Sequence, residues 1–207
     1  MKHNDFPVDF NRLNGLADAI FAVAMTFLAF SVHAPPHLTS ATLMVLFQQF
    51  FNVVIGFFVT GRYWINHNRL HKLIIHGNEI LVMLDLLLLF GIVMIPVSLR
   101  LYDKLPFGFV GITLYSSTFI FVGLMNAVVY FYALRHPQFL RDENTKDKVR
   151  LALKLLIVPM VIYVSPIVIA VWQPIYAPTA WWLMFAVPAI NRRLFPASRP
   201  ASQSVLS

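Results

Sequence analysis

The stretch EILVMLDLLLLFGIVMIPVSLRL at residues 79–101 decides the class of fold, because Asp85 is the one charge between Glu79 and Arg100. A helix needs about 20 mostly apolar residues to cross the hydrocarbon core of a bilayer. Similar runs recur along the chain. We predict an all-α, polytopic membrane protein with six transmembrane helices, at residues 13–33, 41–63, 79–101, 107–134, 151–172 and 175–190.

The composition of the chain agrees with a membrane protein. Of 207 residues, 58% are hydrophobic and 12% are charged, whereas about a quarter of a soluble domain is charged. The absence of cysteine excludes disulfides, thiol catalysis and Cys-ligated zinc. The chain has no G-x-S-x-G nucleophile elbow and no complete metal triad, so we expect neither an enzyme nor a cofactor. The basic residues lie between apolar runs, which favours the lipid bilayer over nucleic acid as the partner.

The distribution of Lys and Arg predicts the orientation of the helices. Fourteen of the 16 basic residues fall on one side of the predicted spans, and only Arg100 and Lys104 fall on the other. Positive residues mark the cytoplasmic side, so both termini are predicted to be cytoplasmic. We interpret residues 1–193 as a single six-helix transmembrane domain, residues 135–150 as a cytoplasmic connector and residues 194–207 as a disordered cytoplasmic tail.

Two acids, Asp18 and Asp85, lie within predicted spans, and Trp64 and His67 lie at the cytoplasmic exit of the second span. At 1.5 Å per residue both acids lie roughly 10 Å inside the bilayer, so all four side chains are at a similar level. Intramembrane charges usually face the protein interior. The pattern favours a clamp that joins three helices, and the alternative is a proton relay in a proton-coupled secondary transporter that uses Asp18, Asp85 and His67.

His67 and His71 are four residues apart, which is a metal-ligand spacing on a helix. No third ligand stands at a matching position in the sequence, and the segment is predicted to lie at the membrane interface. We therefore interpret it as a solvated basic loop and expect no metal site.

The first predicted helix carries one apolar stripe formed by Val23, Phe27 and Phe30, with Thr26 at its margin and Asp18 on a different face. Hydrophobic rings are a gating device in channels. Periodicity alone favours the simpler interpretation, in which the stripe faces lipid or the core.

Three segments resemble one membrane-protein family. RLNGLADAIFAVAMT at residues 12–26 is similar to the R-x-x-x-F-S-D motif followed by F-A-I-A-I-T in the lysosomal potassium channel family, the transmembrane protein 175 family. WINH at residues 64–67 is similar to its W-x-x-H. LDLLLL at 84–89 and IPV at 95–97 resemble its L-N-L-L-x-L and P-F. The resemblance covers roughly the first half of the chain.

The resemblance implies a homotetrameric, potassium-permeable cation channel whose first helices line the pore. Bacterial members are single-repeat chains, so a bacterial plasma membrane is implied. It implies a hydrophobic gate or filter at Val23, Phe27 and Phe30, with Thr26 beside it. It also implies that Arg12 and Asp18 join a network with Trp64 and His67. This network matches the predicted clamp, which also contains Asp85.

This chain departs from the family pattern at several of these positions. Leu16 and Ala17 stand where Phe and Ser are usual, which removes one hydroxyl group from the network. Asp85 replaces the usual Asn and adds an acid. Phe27 and Phe30 are bulkier than the usual leucine, so we expect a narrower pore.

Overall fold

The computed structural model of the protein describes residues 10–37, 39–105 and 108–195. Every element within these ranges is helical, which confirms the all-α prediction. The α-helices are α1 Phe10–Ala29, α2 Ser40–His71, α3 Glu79–Lys104, α4 Phe109–Arg135, α5 Glu143–Leu155, α6 Ile157–Trp172 and α7 Val187–Leu194. Two 3₁₀ helices span Pro137–Phe139 and Ala177–Ala186.

Five helical stretches in the described part of the chain are long and apolar enough to cross a membrane: α1, α2, α3, α4 and the α5–α6 stretch Thr145–Trp172. Helix α2 has 32 residues, so it is about 48 Å long. The hydrocarbon core is only about 30 Å thick. Helix α2 therefore continues past the bilayer core, and its predicted end at residue 63 is corrected to His71. Hydropathy falls after Tyr63, but no proline interrupts the helix there.

The sixth predicted span is not a single α-helix. The 3₁₀ helix Ala177–Ala186 has 10 residues, and α7 continues from it with 8 residues. With rises of about 2.0 Å and 1.5 Å per residue, the two parts together reach about 32 Å, which is enough to cross the core. Pro178 and Pro188 have no backbone N–H, which weakens a continuous α-helix here. Residues 196–207, most of the predicted tail, lie outside the described residues.

The predicted connector at 135–150 is partly helical. Asp142 caps α5, because its carboxylate accepts hydrogen bonds from the backbone N–H and the hydroxyl of Thr145, both at 2.7 Å. Leu156 separates α5 from α6, which carries the apolar part of the crossing. The charged half of this stretch has low hydropathy, which predicts a loop, but it forms the helix α5.

The face of α1 that enters the core is formed by Ala17, Phe21, Ala24 and Leu28, all of which are buried. Their spacing of four, three and four residues is that of one helical face. Helix α1 packs against α2 and α3, α3 packs against α4, and α4 packs against α6. The opposite face of α1 is left uncovered within one chain.

Candidate functional site

The predicted stripe of α1 lies on this uncovered face. Val23 is 51% exposed, Phe27 53% and Phe30 67%. The ring centroids of Phe27 and Phe30 are 6.0 Å apart, so the two rings form one apolar surface. The stripe is therefore not part of the core of the single chain, and it is available to lipid or to a second copy.

Thr26 stands beside the stripe and is also exposed. Its Oγ1 donates a 2.9 Å hydrogen bond to the carbonyl oxygen of Ala22 on the preceding turn. Because the hydroxyl proton is used in this bond, the group presents oxygen lone pairs outwards. Such an oxygen is suited to a cation rather than to an anion.

An apolar groove of about 200 Å³ runs between α1 and α3 on the same side of the molecule. Val23 and Phe27 form part of one wall, and Val93 and Pro96 form the other. Pro96 lies inside α3, where it cannot donate a backbone hydrogen bond. The groove thus extends the exposed apolar surface from the stripe onto α3.

The first polar contact of the site joins α2 to α1. The indole Nε1 of Trp64 donates a 2.7 Å hydrogen bond to Oδ1 of Asp18. Asp18 belongs to the same chain as Trp64, in agreement with the prediction that this acid turns away from the stripe. A charge-assisted hydrogen bond of this length is among the stronger polar contacts.

The second polar contact joins α2 to α3. Oδ1 of Asp85 lies 2.9 Å from Nε2 of His67 and 3.2 Å from Nε2 of His71. All three side chains are buried, and Asp85 is only 1% exposed. The interpretation of the histidine segment as a solvated loop is therefore wrong, because α2 continues through it and turns both rings inwards. The spacing of four residues between the two histidines places them on one helical face, and this was the signal in the sequence that could have added His71 to the contact with Asp85.

The four residues of the clamp predicted from depth are divided between these two sets of contacts. Asp18 binds Trp64, whereas Asp85 binds the two histidines, and α2 is common to both sets. The ring of Phe21 on α1 packs against His67, with centroids 5.6 Å apart. Arg12 is exposed at the start of α1 and has no hydrogen bond or ion pair with any residue that the structure describes.

The fold and these contacts define a polytopic α-helical membrane protein with one uncovered apolar helix face and polar contacts that join its first three helices. The family model described as "Endosomal/lysosomal potassium channel TMEM175" matches residues 12–96, which include most of α1, all of α2 and most of α3. The resemblance in the sequence is thus confirmed over this part of the chain.

Two curated relatives are similar to this chain. The endosomal/lysosomal proton channel TMEM175 of Gallus gallus is 25% identical over 138 residues, which are 64% of this chain and 28% of the chicken protein. A potassium channel of Chryseobacterium sp. (strain P1-3) is 24% identical over 123 residues, which are 57% of this chain and 64% of the relative. The chain thus spans less than two thirds of the length of either relative.

A solved structure shares the fold. The crystal structure of a lysosomal potassium-selective channel TMEM175 homolog from Chamaesiphon minutus superimposes with a TM-score of 0.67. The match covers 88% of this chain and 98% of that one, at 19% sequence identity. The likeness extends beyond the family match and includes the second half of the chain.

Proposed function

We propose that this chain is one subunit of a homotetrameric, potassium-permeable cation channel in a bacterial plasma membrane, with both termini in the cytoplasm. The observation that carries the proposal is the uncovered apolar face of α1, in a fold that superimposes on a TMEM175 homolog. Four copies arranged with α1 at the axis would cover this face. The groove between α1 and α3 would receive part of the neighbouring copy.

In this arrangement Val23, Phe27 and Phe30 form rings around the ion path. A hydrophobic constriction blocks ions when it is dry and conducts when it is wetted. Thr26 lies beside the rings, and its outward oxygen lone pairs replace part of the hydration shell of a passing potassium ion. The size of the phenyl rings favours a narrow or closed constriction at rest.

The two polar contacts act as the clamp that positions α1. Trp64 holds α1 through Asp18, and His67 and His71 hold α3 through Asp85. Helix α2 is therefore the element against which the pore helix is oriented. The resemblance to the family assigns Arg12 to the same network, and its exposed position at the start of α1 leaves it available to a neighbouring copy.

A second candidate function concerns protons. The chicken relative is described as a proton channel and the Chryseobacterium relative as a potassium channel. A proton-coupled secondary transporter would use Asp18, Asp85 and His67 as its relay, and the buried contact between His67 and Asp85 supports this alternative. A transporter saturates with its substrate and needs a proton gradient, whereas a channel does neither.

The test is a flux measurement on purified tetramers in liposomes loaded with potassium. We expect potassium efflux that exceeds sodium efflux, and Val23→Ala should raise the flux or lower the selectivity. Val168→Ala is the matched control, because Val168 is an exposed valine on α6. Proton flux is followed in the same vesicles with a pH-sensitive dye. Tight vesicles from folded, tetrameric wild type and Val23→Ala would overturn the pore assignment.

A further inference from the structure

Three side chains with metal-binding atoms meet between α2 and α3. Nε2 of His67 and Nε2 of His71 lie 2.9 Å and 3.2 Å from Oδ1 of Asp85. One possible ligand atom from each of the three residues lies within 4.8 Å of the others. Around a four-coordinate Zn²⁺ with bonds of about 2.0–2.1 Å, neighbouring ligand atoms are roughly 3.3 Å apart. Both contacts with Asp85 are close to that spacing, as ligands of a shared zinc ion would be.

We propose that His67, His71 and Asp85 form a zinc-binding site that joins α2 to α3. Two imidazoles and one carboxylate are a ligand set that zinc accepts, with a fourth position left for water. Mg²⁺ and Ca²⁺ prefer oxygen ligands and are disfavoured by two nitrogen donors. His71 is one of the three ligands here, although the clamp predicted from the sequence did not include it.

The carboxylate of Asp85 lacks full compensation in the described structure. Its Oδ1 contacts both histidines, but its buried Oδ2 has no hydrogen-bond partner among the described residues. Removing an ionised carboxylate from water is costly unless partners replace the lost solvation. A divalent cation bound by Asp85 provides this compensation.

The two imidazole rings are placed as two ligands of one ion. They are stacked with their centroids 4.0 Å apart and their planes 26° apart. Both present Nε2 to the same oxygen of Asp85. Imidazole nitrogen is a common zinc ligand, so one ion is able to bind both rings.

The cluster lies in a buried position between helices, close to one end of α2. Phe21 covers His67 from α1. The loop after α2 is tied to the segment after α4 by the bridge between Ile74 and Leu140. His71 is the last residue of α2 and the exposed Lys72 follows it, so the path from solvent is short. An ion held here would keep two neighbouring helices together at one end.

The experiment uses tag-free, full-length protein in detergent, stripped with a chelator and then supplied with ZnCl₂ or MgCl₂. We expect one zinc per chain after dialysis and a higher unfolding temperature with zinc but not with magnesium, because a ligand that binds only the folded state stabilises it. X-ray absorption at the zinc edge should show two imidazoles in the coordination shell. These readouts do not depend on ion flux, so their failure leaves the channel proposal intact.

Matched variants identify the ligands. Asp85→Asn is nearly isosteric and His71→Gln keeps a polar side chain, and each should weaken zinc binding by more than the roughly 10–100-fold cost of an outer-shell change. His76→Gln is the control, because this nearby histidine is exposed. Folded wild type without zinc at saturation would overturn the proposal, as would binding that survives both variants. If the variants do not fold, a wild-type zinc shell without two imidazoles overturns it.

Discussion

The indole Nε1 of Trp64 donates a 2.7 Å hydrogen bond to Oδ1 of Asp18, and this contact joins α2 to α1 across 46 residues of sequence. Both residues lie in the part of the chain that the TMEM175 family model matches. The contact holds the helix that carries the exposed stripe, so it couples the position of that helix to the core of the subunit.

Removal of the indole donor tests this coupling. Trp64→Phe keeps the aromatic bulk, and we expect it to lower the free energy of unfolding by about 1 kcal/mol. A hydrogen bond to a charged group contributes about 1.5–3 kcal/mol, and the partial exposure of Trp64 reduces that value. The measurement is denaturant unfolding in mixed micelles. Trp172→Phe, at an exposed tryptophan, is the control.

A double-mutant cycle with Asp18→Ala isolates the pair. If the effects of the two single changes on the free energy of unfolding are additive, the contact does not hold α1 in place.

The hydroxyl of Thr26 has an expected role in ion passage. Thr26→Val preserves the shape of the side chain but removes the outward oxygen, and we expect potassium flux in liposomes to fall roughly fivefold, the effect of one lost contact of about 1 kcal/mol. Thr118→Val is the control, because Thr118 makes the same type of bond, to the carbonyl oxygen of Leu114 on α4. Equal flux in the two variants would remove Thr26 from the ion path.

Gly91 permits the close approach of α3 to α4. A Cβ atom there would lie 2.8 Å from Cγ2 of Val122 and 2.9 Å from Cδ1 of Phe121. Val122 is fully buried and has little room to turn, so Gly91→Ala should destabilise the protein by about 1–3 kcal/mol.

Gly61→Ala is the opposite case, since no atom other than those of its chain neighbours and of the α2 backbone lies within 4 Å of its added Cβ. Alanine is the better helix former, so this change should be neutral or stabilising by up to about 1 kcal/mol. Thermal unfolding of both variants gives the comparison. A shift of the same sign and size in both would contradict the packing argument.

Asp142 should make the start of α5 sensitive to acid. The hydrogen bonds from Thr145 lower the pKa of its carboxyl group, and Lys148 and Arg141 add to the effect. Because the folded pKa lies below the unfolded one, the cap stabilises the helix fully above about pH 4 and is lost as the pH falls through the folded pKa.

Amide hydrogen exchange at Thr145 measures this effect. The amide of Thr145 should exchange faster in Asp142→Ala than in the wild type at neutral pH. Asp142→Asn keeps an acceptor oxygen but has no ionisable carboxyl group, so the protection of the Thr145 amide should no longer change as the pH falls. Asp147→Asn, at an exposed acid paired with Arg150, is the control. Protection at Thr145 that is the same in all variants would show that the cap is not required.

The local features of this protein could be predicted from the sequence. The positions and order of the five long apolar helical stretches follow from hydropathy, and the two faces of α1 follow from its period. Helix ends were harder to predict. Helix α2 was predicted to end at residue 63, where hydropathy falls, but its backbone hydrogen bonds continue to His71. The crossing after Gln173 was predicted as α-helix, and its prolines leave a 3₁₀ segment instead.

The pairing of polar side chains could be predicted only in part from the sequence. The depth of Asp85 in its span correctly suggested His67 as a neighbour, but it also grouped Asp85 with Asp18, which has a different partner. His71 was missed because it was assigned to a loop. Depth is a single coordinate along the membrane normal, and it contains no information on the rotation of each helix about its axis.

The sequence by itself therefore determined that this chain is an all-helical membrane protein, which residues of α1 share a face, and which family its first half resembles. These properties depend on residues that are neighbours along one segment. Only the tertiary structure decided that α1 turns its Phe21 face inwards, that Trp64 reaches Asp18, and that both histidines meet Asp85. Those contacts depend on how α1, α2 and α3 are rotated and packed, and packing is set by side chains from all three helices together.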